Sequence, residues 1–372
     1  MKIAMIGQKG IIPAFGGIER HVQELSMKLE KSGHEVTVYA RSWYTQKQEN
    51  KYQGVKIKSI WSLTTKNFDA ITYTFLATID AMRHDFDIIH YHGVGPALLS
   101  WMPRIFQPNT KVIVTFHGRD SLHTKWGVFA RIMLHCGEWC AVTFPHRTIV
   151  VSRTLKRYCS QYFHRATNFI PNGFSTAIYQ QQNASHNISI LSKFGIRPRF
   201  YILTVARLTP HKRIHHLIQA FQKLPTSDLK LVIIGDDYFV PKYASSLKKL
   251  AATNPNILFL GMVNEIDLAI LYRHAIFFVL PSETEGLPIV MLESFCSGTA
   301  VLGSDIPPHT EIINNPRFLF KNKNAESLRQ KMLYLIQHPL EVRKYASDMQ
   351  KMVVEKYDWD MIVEQTIKIY RQ

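Results

Sequence analysis

Short apolar runs alternate with longer stretches of helical period along most of this 372-residue chain. The first run, Ile3–Ile6, is followed by a loop holding Gly7, Gly10, Gly16 and Gly17. Apolar residues then return at helical spacing through Ile18, Val22, Leu25 and Leu29, and Gly33 stops the pattern. Val36–Tyr39 reads as the next strand, followed by strands at Val55–Ile60, Ile88–His90, Val112–Phe116 and Thr148–Val151, with helices between. A strand, a glycine loop, a helix and a strand in that order predict an α/β, doubly wound, mostly parallel sheet covered on both faces.

Around 171–189 the pattern lapses into FSTAIYQQQNASHNIS, which predicts a linker. A second alternation begins at strand Phe200–Val205. It continues with strands at Leu231–Ile234, Ile257–Leu260, Ile276–Leu280 and Ala300–Gly303, and helices at Ile214–Phe221, Tyr243–Ala252 and Glu265–His274. The result is two Rossmann-like domains, 1–180 and 190–356, expected to face each other across a cleft. In such folds ligands gather outside the carboxyl ends of the strands. Residues 357–372 carry one more helical stripe.

Composition narrows the classes. The formal charge is +17. It is concentrated in the first half, where residues 1–180 hold 22 Lys and Arg against 11 Asp and Glu. Within 100–165 there are ten basic residues and two acidic ones, interleaved with Trp101, Trp126, Phe129, Trp139 and Tyr158. That surface suits an anionic membrane or a phosphorylated substrate, and no motif supports nucleic acid. Cys136, Cys140, Cys159 and Cys296 lack paired metal spacing, so they read as reduced core thiols and no metal is expected. The start MKIAMIG has no long apolar core, and no run reaches membrane-span length. The expectation is a cytoplasmic protein, peripheral at most on the inner face of the membrane.

The most informative stretch is SETEGLPIVMLE, Ser282–Glu293. An apolar strand ends at Pro281, a polar loop follows, and Pro288 opens a helix that Gly298 closes. A helix start offers unpaired N–H groups and partial positive charge to an anion. Glu285 sits just outside that start, and Glu293 is expected about two turns along it. A donor-rich helix start flanked by two acceptors suits a phosphate with hydroxyls on both sides, the layout of a nucleotide sugar. Arg207 and Lys212, after another strand, would pair with a diphosphate. His117 ends the strand of VIVTFHG at the carboxyl edge, placed to meet a sugar hydroxyl. Gly16-Gly17 lets backbone approach a phosphate, although the loop is not G-x-G-x-x-G. Asp85-Phe86-Asp87 has the form of a metal-binding triplet but reads as a helix-to-strand junction, and Asp236-Asp237 reads as a strand end.

Together these segments resemble the retaining glycosyltransferases of family 4, which have the GT-B fold. The resemblance rests on MKIAMIGQKGIIPAFGGIERHVQELSMKLEKSGHEVTVYAR, VTFHGRD, IVVSRTLKRY, FIPNGF, VARLTPHKR and LPSETEGLPIVMLESFCSGTAVLGSDIPPHTEII. The N-terminal block is most similar to bacterial polysaccharide-assembly members, rhamnosyltransferases among them. The resemblance implies that the last helix crosses back onto the first domain, and it assigns roles. Glu293 would bind ribose hydroxyls, Glu285 the donor sugar, and the backbone at Gly286 and Leu287 the sugar and diphosphate. Arg207 and Lys212 would neutralise the leaving diphosphate, Gly16 and Gly17 would close over it, and His117 would contact the sugar. The backbone at Met262 and Val263 would face the base. Ala206 and Arg213 stand where the family often has Gly, and PPHTEII replaces a more Gly-rich segment.

The implied donor is a UDP-, GDP- or dTDP-sugar and the acceptor a glycan or lipid-linked glycan, without a cofactor or metal. The implied route is front-face transfer, with the leaving phosphate helping to deprotonate the acceptor hydroxyl. Two other functions fit the same fold: a nucleotide-sugar epimerase, and a non-catalytic nucleotide-sugar-binding subunit.

Overall fold

The computed structural model describes all residues except 13–15, 45–49, 66–67, 123–126, 176–178, 180–183, 226–227 and 236–239. Asp236-Asp237 and part of the first glycine loop therefore lie outside the described residues. Contacts divide the chain into two units, residues 1–173 with 359–372 and residues 174–358.

Unit 1 is built on strands β1 (Lys2–Ile6), β2 (Glu35–Arg41), β3 (Lys51–Tyr52), β4 (Val55–Ile60), β5 (Ile88–His92), β6 (Lys111–Phe116), β7 (Arg147–Val150) and β8 (Asn168–Phe169). Their order is β3-β4-β2-β1-β5-β6-β7-β8, and every pairing is parallel except that of β3 with β4. Helices α1 (Gly17–Lys31), α2 (Asp69–Met82), α3 (Val94–Ala97), α4 (Trp101–Phe106), α5 (Val128–Thr143) and α6 (Arg153–Phe163) connect them. β1 and β5 are neighbours although the chain runs first from β1 toward β4, so the winding reverses between them. β1 and β5 are buried at nearly every position, as parallel strands covered on both faces must be.

The triplet at Asp85–Asp87 serves the sheet: the Asp87 carboxylate accepts the Lys2 N–H at 2.6 Å where β1 begins.

In unit 2, α7 (Ala184–Lys193) begins inside the stretch expected to be a linker and runs four residues past its end. Its composition is polar, but Ile190 and Leu191, beyond that stretch, are buried. The strands are β9 (Tyr201–Val205), β10 (Lys230–Ile234), β11 (Ile257–Gly261), β12 (Phe278–Leu280), β13 (Val301–Ser304) and β14 (Leu319–Phe320). They form an all-parallel sheet ordered β11-β10-β9-β12-β13-β14. The helices are α8 (Ile214–Gln222), α9 (Pro241–Ala251), α10 (Glu265–His274), α11 (Ile289–Cys296), α12 (Pro307–Thr310), α13 (Ala325–Gln337) and α14 (Pro339–Lys356). The winding reverses between β9 and β12, which makes their carboxyl ends the switch point of this sheet.

The final helix, α15 (Trp359–Arg371), belongs to unit 1. Trp359, Ile362, Val363, Ile369 and Tyr370 join one core with β1, β2 and α1. A Cβ on Gly173 would stand 2.7 Å from the Trp359 ring, so only glycine lets that ring lie on the backbone.

Candidate active site

In unit 2 the loop after β9 and the loop after β12 meet at the switch point. The first makes a short 3-10 turn, Pro210–Lys212. Arg213 then takes a left-handed conformation, φ +52°, before α8 starts. An L side chain there costs about 1–2 kcal/mol, which gives a physical reason for Gly at the matching position of the resembling family. Here the Arg213 guanidinium closes on Glu283, which offsets the strain. The Glu283 N–H donates to the His211 carbonyl at 2.9 Å, so the two loops are tied by backbone as well.

Between them lies an ion pair of two predicted site residues. Lys212 Nζ donates to Glu285 Oε1 at 2.5 Å, and both side chains are mostly buried. Burial works to raise the Glu285 carboxyl, yet Lys212, with His309 behind it, holds it down to about 2. The carboxylate is therefore ionised at neutral pH. Arg207, on the same loop, is exposed.

Pro288 caps α11 with extended backbone, and no side chain closes that end. Glu293 is the fifth residue of an eight-residue helix, little more than one turn in rather than two. Its carboxylate is turned inward, 1 % exposed, and accepts the Tyr272 hydroxyl at 3.3 Å. Leu287 is buried, Gly286 half-buried, Met262 exposed and Val263 half-buried at the end of β11.

The sequence reading overlooked His309. It sits on α12, after β13, in the PPHT segment that replaces a Gly-rich one. Its Nδ1 is 3.1 Å from Ser304 Oγ and 3.0 Å from Ser304 O, and Ser304 Oγ donates to the Ser282 carbonyl at 2.5 Å. A buried chain thus runs from α12 to the loop that carries Glu283 and Glu285. Burial pushes the His309 imidazole down to about 4, against the pull of Glu285, so it is neutral, and its Nε2 is buried without a hydrogen-bond partner. The only available signal was a lone histidine among prolines. A groove of about 760 Å³ lined by Arg273, Gly298 and Gln350 is also part of unit 2, but none of the predicted residues lines it.

In unit 1, Gly16 precedes α1 and Gly17 is its first residue. A Cβ on Gly16 would meet the Glu19 carboxylate, whereas nothing stands near that of Gly17. His117 ends β6. No metal-ligand spacing is visible in the sequence, yet the fold gathers His117 with His21 of α1 and His92 of β5, one ring nitrogen of each within 4.8 Å of the others. Among the described residues this is the set able to hold a metal ion. It carries no carboxylate, and His92 already uses both nitrogens, on His117 Nε2 at 3.2 Å and Met5 Sδ at 3.3 Å. Burial pushes His21 down to about 4, and pushes His92 and His117 well below the usual imidazole range. Cys136, expected in the core, is exposed on α5; the other three cysteines are buried thiols.

Residues 15–178 match the family described as Glycosyltransferase Family 4, and residues 190–353 match Glycosyl transferases group 1. The chain belongs to the GT-B glycosyltransferases of family 4. An uncharacterized glycosyltransferase of Methanocaldococcus jannaschii is 27 % identical over 100 % of this chain and 98 % of its own length. Sucrose-phosphate synthase from Thermosynechococcus elongatus has the same fold, with a TM-score of 0.84 at 18 % identity over 100 % of this chain and 98 % of its own. HepE of Anabaena, solved in complex with UDP and glucose, gives 0.82 at 17 % identity over 99 % of both chains. This glycosyltransferase therefore has two parallel-sheet α/β domains of the GT-B type.

Proposed function

We propose that this glycosyltransferase moves a sugar, with retention of anomeric configuration, from a UDP-, GDP- or dTDP-sugar to a glycan or lipid-linked acceptor in cell-surface polysaccharide synthesis. The observation that carries the reading is the Lys212–Glu285 pair at the switch point of unit 2. An ionised carboxylate, a cation and an uncapped helix start share one place there. The nucleotide and sugar bound by HepE support the donor class.

In this reading the incoming diphosphate takes over Lys212, joined by Arg207 and the N–H groups of α11. Glu285, released from Lys212, accepts a sugar hydroxyl. The anomeric C–O bond breaks and its electron pair goes to the diphosphate, whose growing charge these donors stabilise. The acceptor oxygen bonds to the same carbon from the same face, and its proton passes to the departing phosphate. Glu293 takes the ribose hydroxyls in exchange for the Tyr272 hydroxyl, and the backbone of Met262, Val263, Gly286 and Leu287 lines the donor. Gly16, Gly17 and His117 serve from unit 1.

Thermal-shift titration with UDP-, GDP- and dTDP-sugars tests the donor, since a bound donor raises the unfolding midpoint. Glu285→Gln is expected to keep nucleotide binding and to lose about 100-fold or more in transfer. Unchanged transfer would remove Glu285 from the site. Conversion of the donor to another sugar without acceptor would point to an epimerase instead.

A further inference from the structure

The basic, aromatic-rich span of unit 1 has a specific shape. Helix α5 has buried residues only in its second half. A Cβ on Gly137 would stand 2.3 Å from the Val94 carbonyl, so α5 and α3 touch backbone to backbone there. Next to it Glu138 is fully buried and accepts Ser121 Oγ at 2.5 Å and the Tyr158 hydroxyl at 2.7 Å. The other side of the helix faces outward. Val128 and Phe129 are each 76 % exposed, Ile132 55 % and Trp139 49 %. The spacing 129, 132, 136, 139 puts one stripe along a length of about 15 Å. Helical apolar period of this kind belongs in a core, yet this stripe has none to enter.

The tip of α4 adds Ile105 and Phe106, 61 % and 64 % exposed. Trp139 stacks edge-on against Phe144 at 5.4 Å, and His146, two residues on, lies in the field of Arg104, Lys111 and Arg147. Arg104, Arg131 and Arg147 are themselves exposed. Of the two carboxylates in 100–165, Glu138 is buried, leaving Asp120, half-buried, as the only counter-charge in that span.

We propose that the outer face of α5 and the tip of α4 seat unit 1 on an anionic lipid bilayer. Apolar side chains ringed by guanidinium groups match the acyl boundary and the phosphate layer beneath it. A second copy of the chain would bring the same positive charge to the interface. Duplex nucleic acid would satisfy the arginines and leave Phe129 and Ile132 in water. No described helix is long and apolar enough to cross a membrane, so the contact is interfacial. For its purpose the inference rests on the lipid-linked reading of the acceptor; its test does not.

Flotation of the full chain with phosphatidylcholine vesicles, with and without phosphatidylglycerol, is the test. The expected result is binding to the anionic vesicles, weakened by salt. Phe129→Asp with Ile132→Asp, and separately Arg131→Glu with Arg147→Glu, are expected to lower partitioning at least about tenfold. These side chains are exposed, so the unfolding midpoint of each variant should stay at the wild-type value, which separates lost docking from lost folding. Transfer to a soluble acceptor should also persist in both variants. Absence of flotation, equal binding to neutral and anionic vesicles, or unchanged binding by the aspartate pair would each overturn the proposal. So would salt-sensitive duplex binding or concentration-dependent dimerisation without vesicle binding. If the wild type floats but transfers no sugar, the docking stands and the enzymatic reading falls.

Discussion

Lys212 and Glu285 are 73 positions apart and each other's partner at 2.5 Å. Removing one member of a mostly buried pair leaves an uncompensated charge, which costs about 3–5 kcal/mol. Lys212→Met should therefore lower stability by about that much, and Lys212→Met with Glu285→Gln should recover part of it. Denaturant midpoints of the four proteins check this; additive losses would mean the pair is not coupled. Both residues were legible as separate site candidates, because each lies in a loop following a strand. Their pairing was not, since no local spacing records it. The same holds for Arg213 with Glu283, and for His309, whose role depends on Ser304 and the Ser282 carbonyl.

At the scale of elements, legibility followed burial. β1, β5, β9 and β12 are buried almost throughout and were expected from the apolar runs within them. The two-residue strands β3, β8 and β14 exist by pairing with a neighbour and leave no pattern of their own. α7 was hidden by polar composition. α5 shows the reverse error built into periodicity, which reports an apolar side but not what covers it. Its anchor can be probed directly. Gly137→Ala places a methyl against the Val94 carbonyl and should cost about 1–3 kcal/mol by forcing α5 off α3. Urea unfolding followed by tryptophan emission would show it, and an unchanged midpoint would mean that the contact has slack.

All six tryptophans fall in the sequence of unit 1, so their emission reports on that unit alone. This makes the pH response of the molecule separable. His21, His90, His92 and His117 have folded pKa values pushed below 6.5 by burial. The unfolded chain binds their protons first, so their contribution is complete above pH 6.5. It is lost as pH falls below 6.5, with a slope of up to about 1.4 kcal/mol per pH unit for each imidazole. The Glu285 carboxylate, lowered to about 2, keeps its contribution above pH 4.5 and loses it below. Acid titration should therefore show tryptophan emission changing before the far-ultraviolet helix signal is fully lost. Coincident transitions would contradict the ordering.

The placement of α15 has a consequence for how the chain emerges from the ribosome. Trp359, Ile362 and Tyr370 complete the core that Ile3 and Val22 begin, and the Tyr370 hydroxyl lies 2.7 Å from His90 Nδ1. Unit 2, by contrast, is one uninterrupted stretch from 174 to 358. During synthesis the unit that starts first is thus the unit that finishes last, and it must wait with an unfilled groove along α1 while residues 174–358 are made. Chains that end at residue 358 and are released from the ribosome are expected to resist protease over 174–358 and to be cut within 1–173.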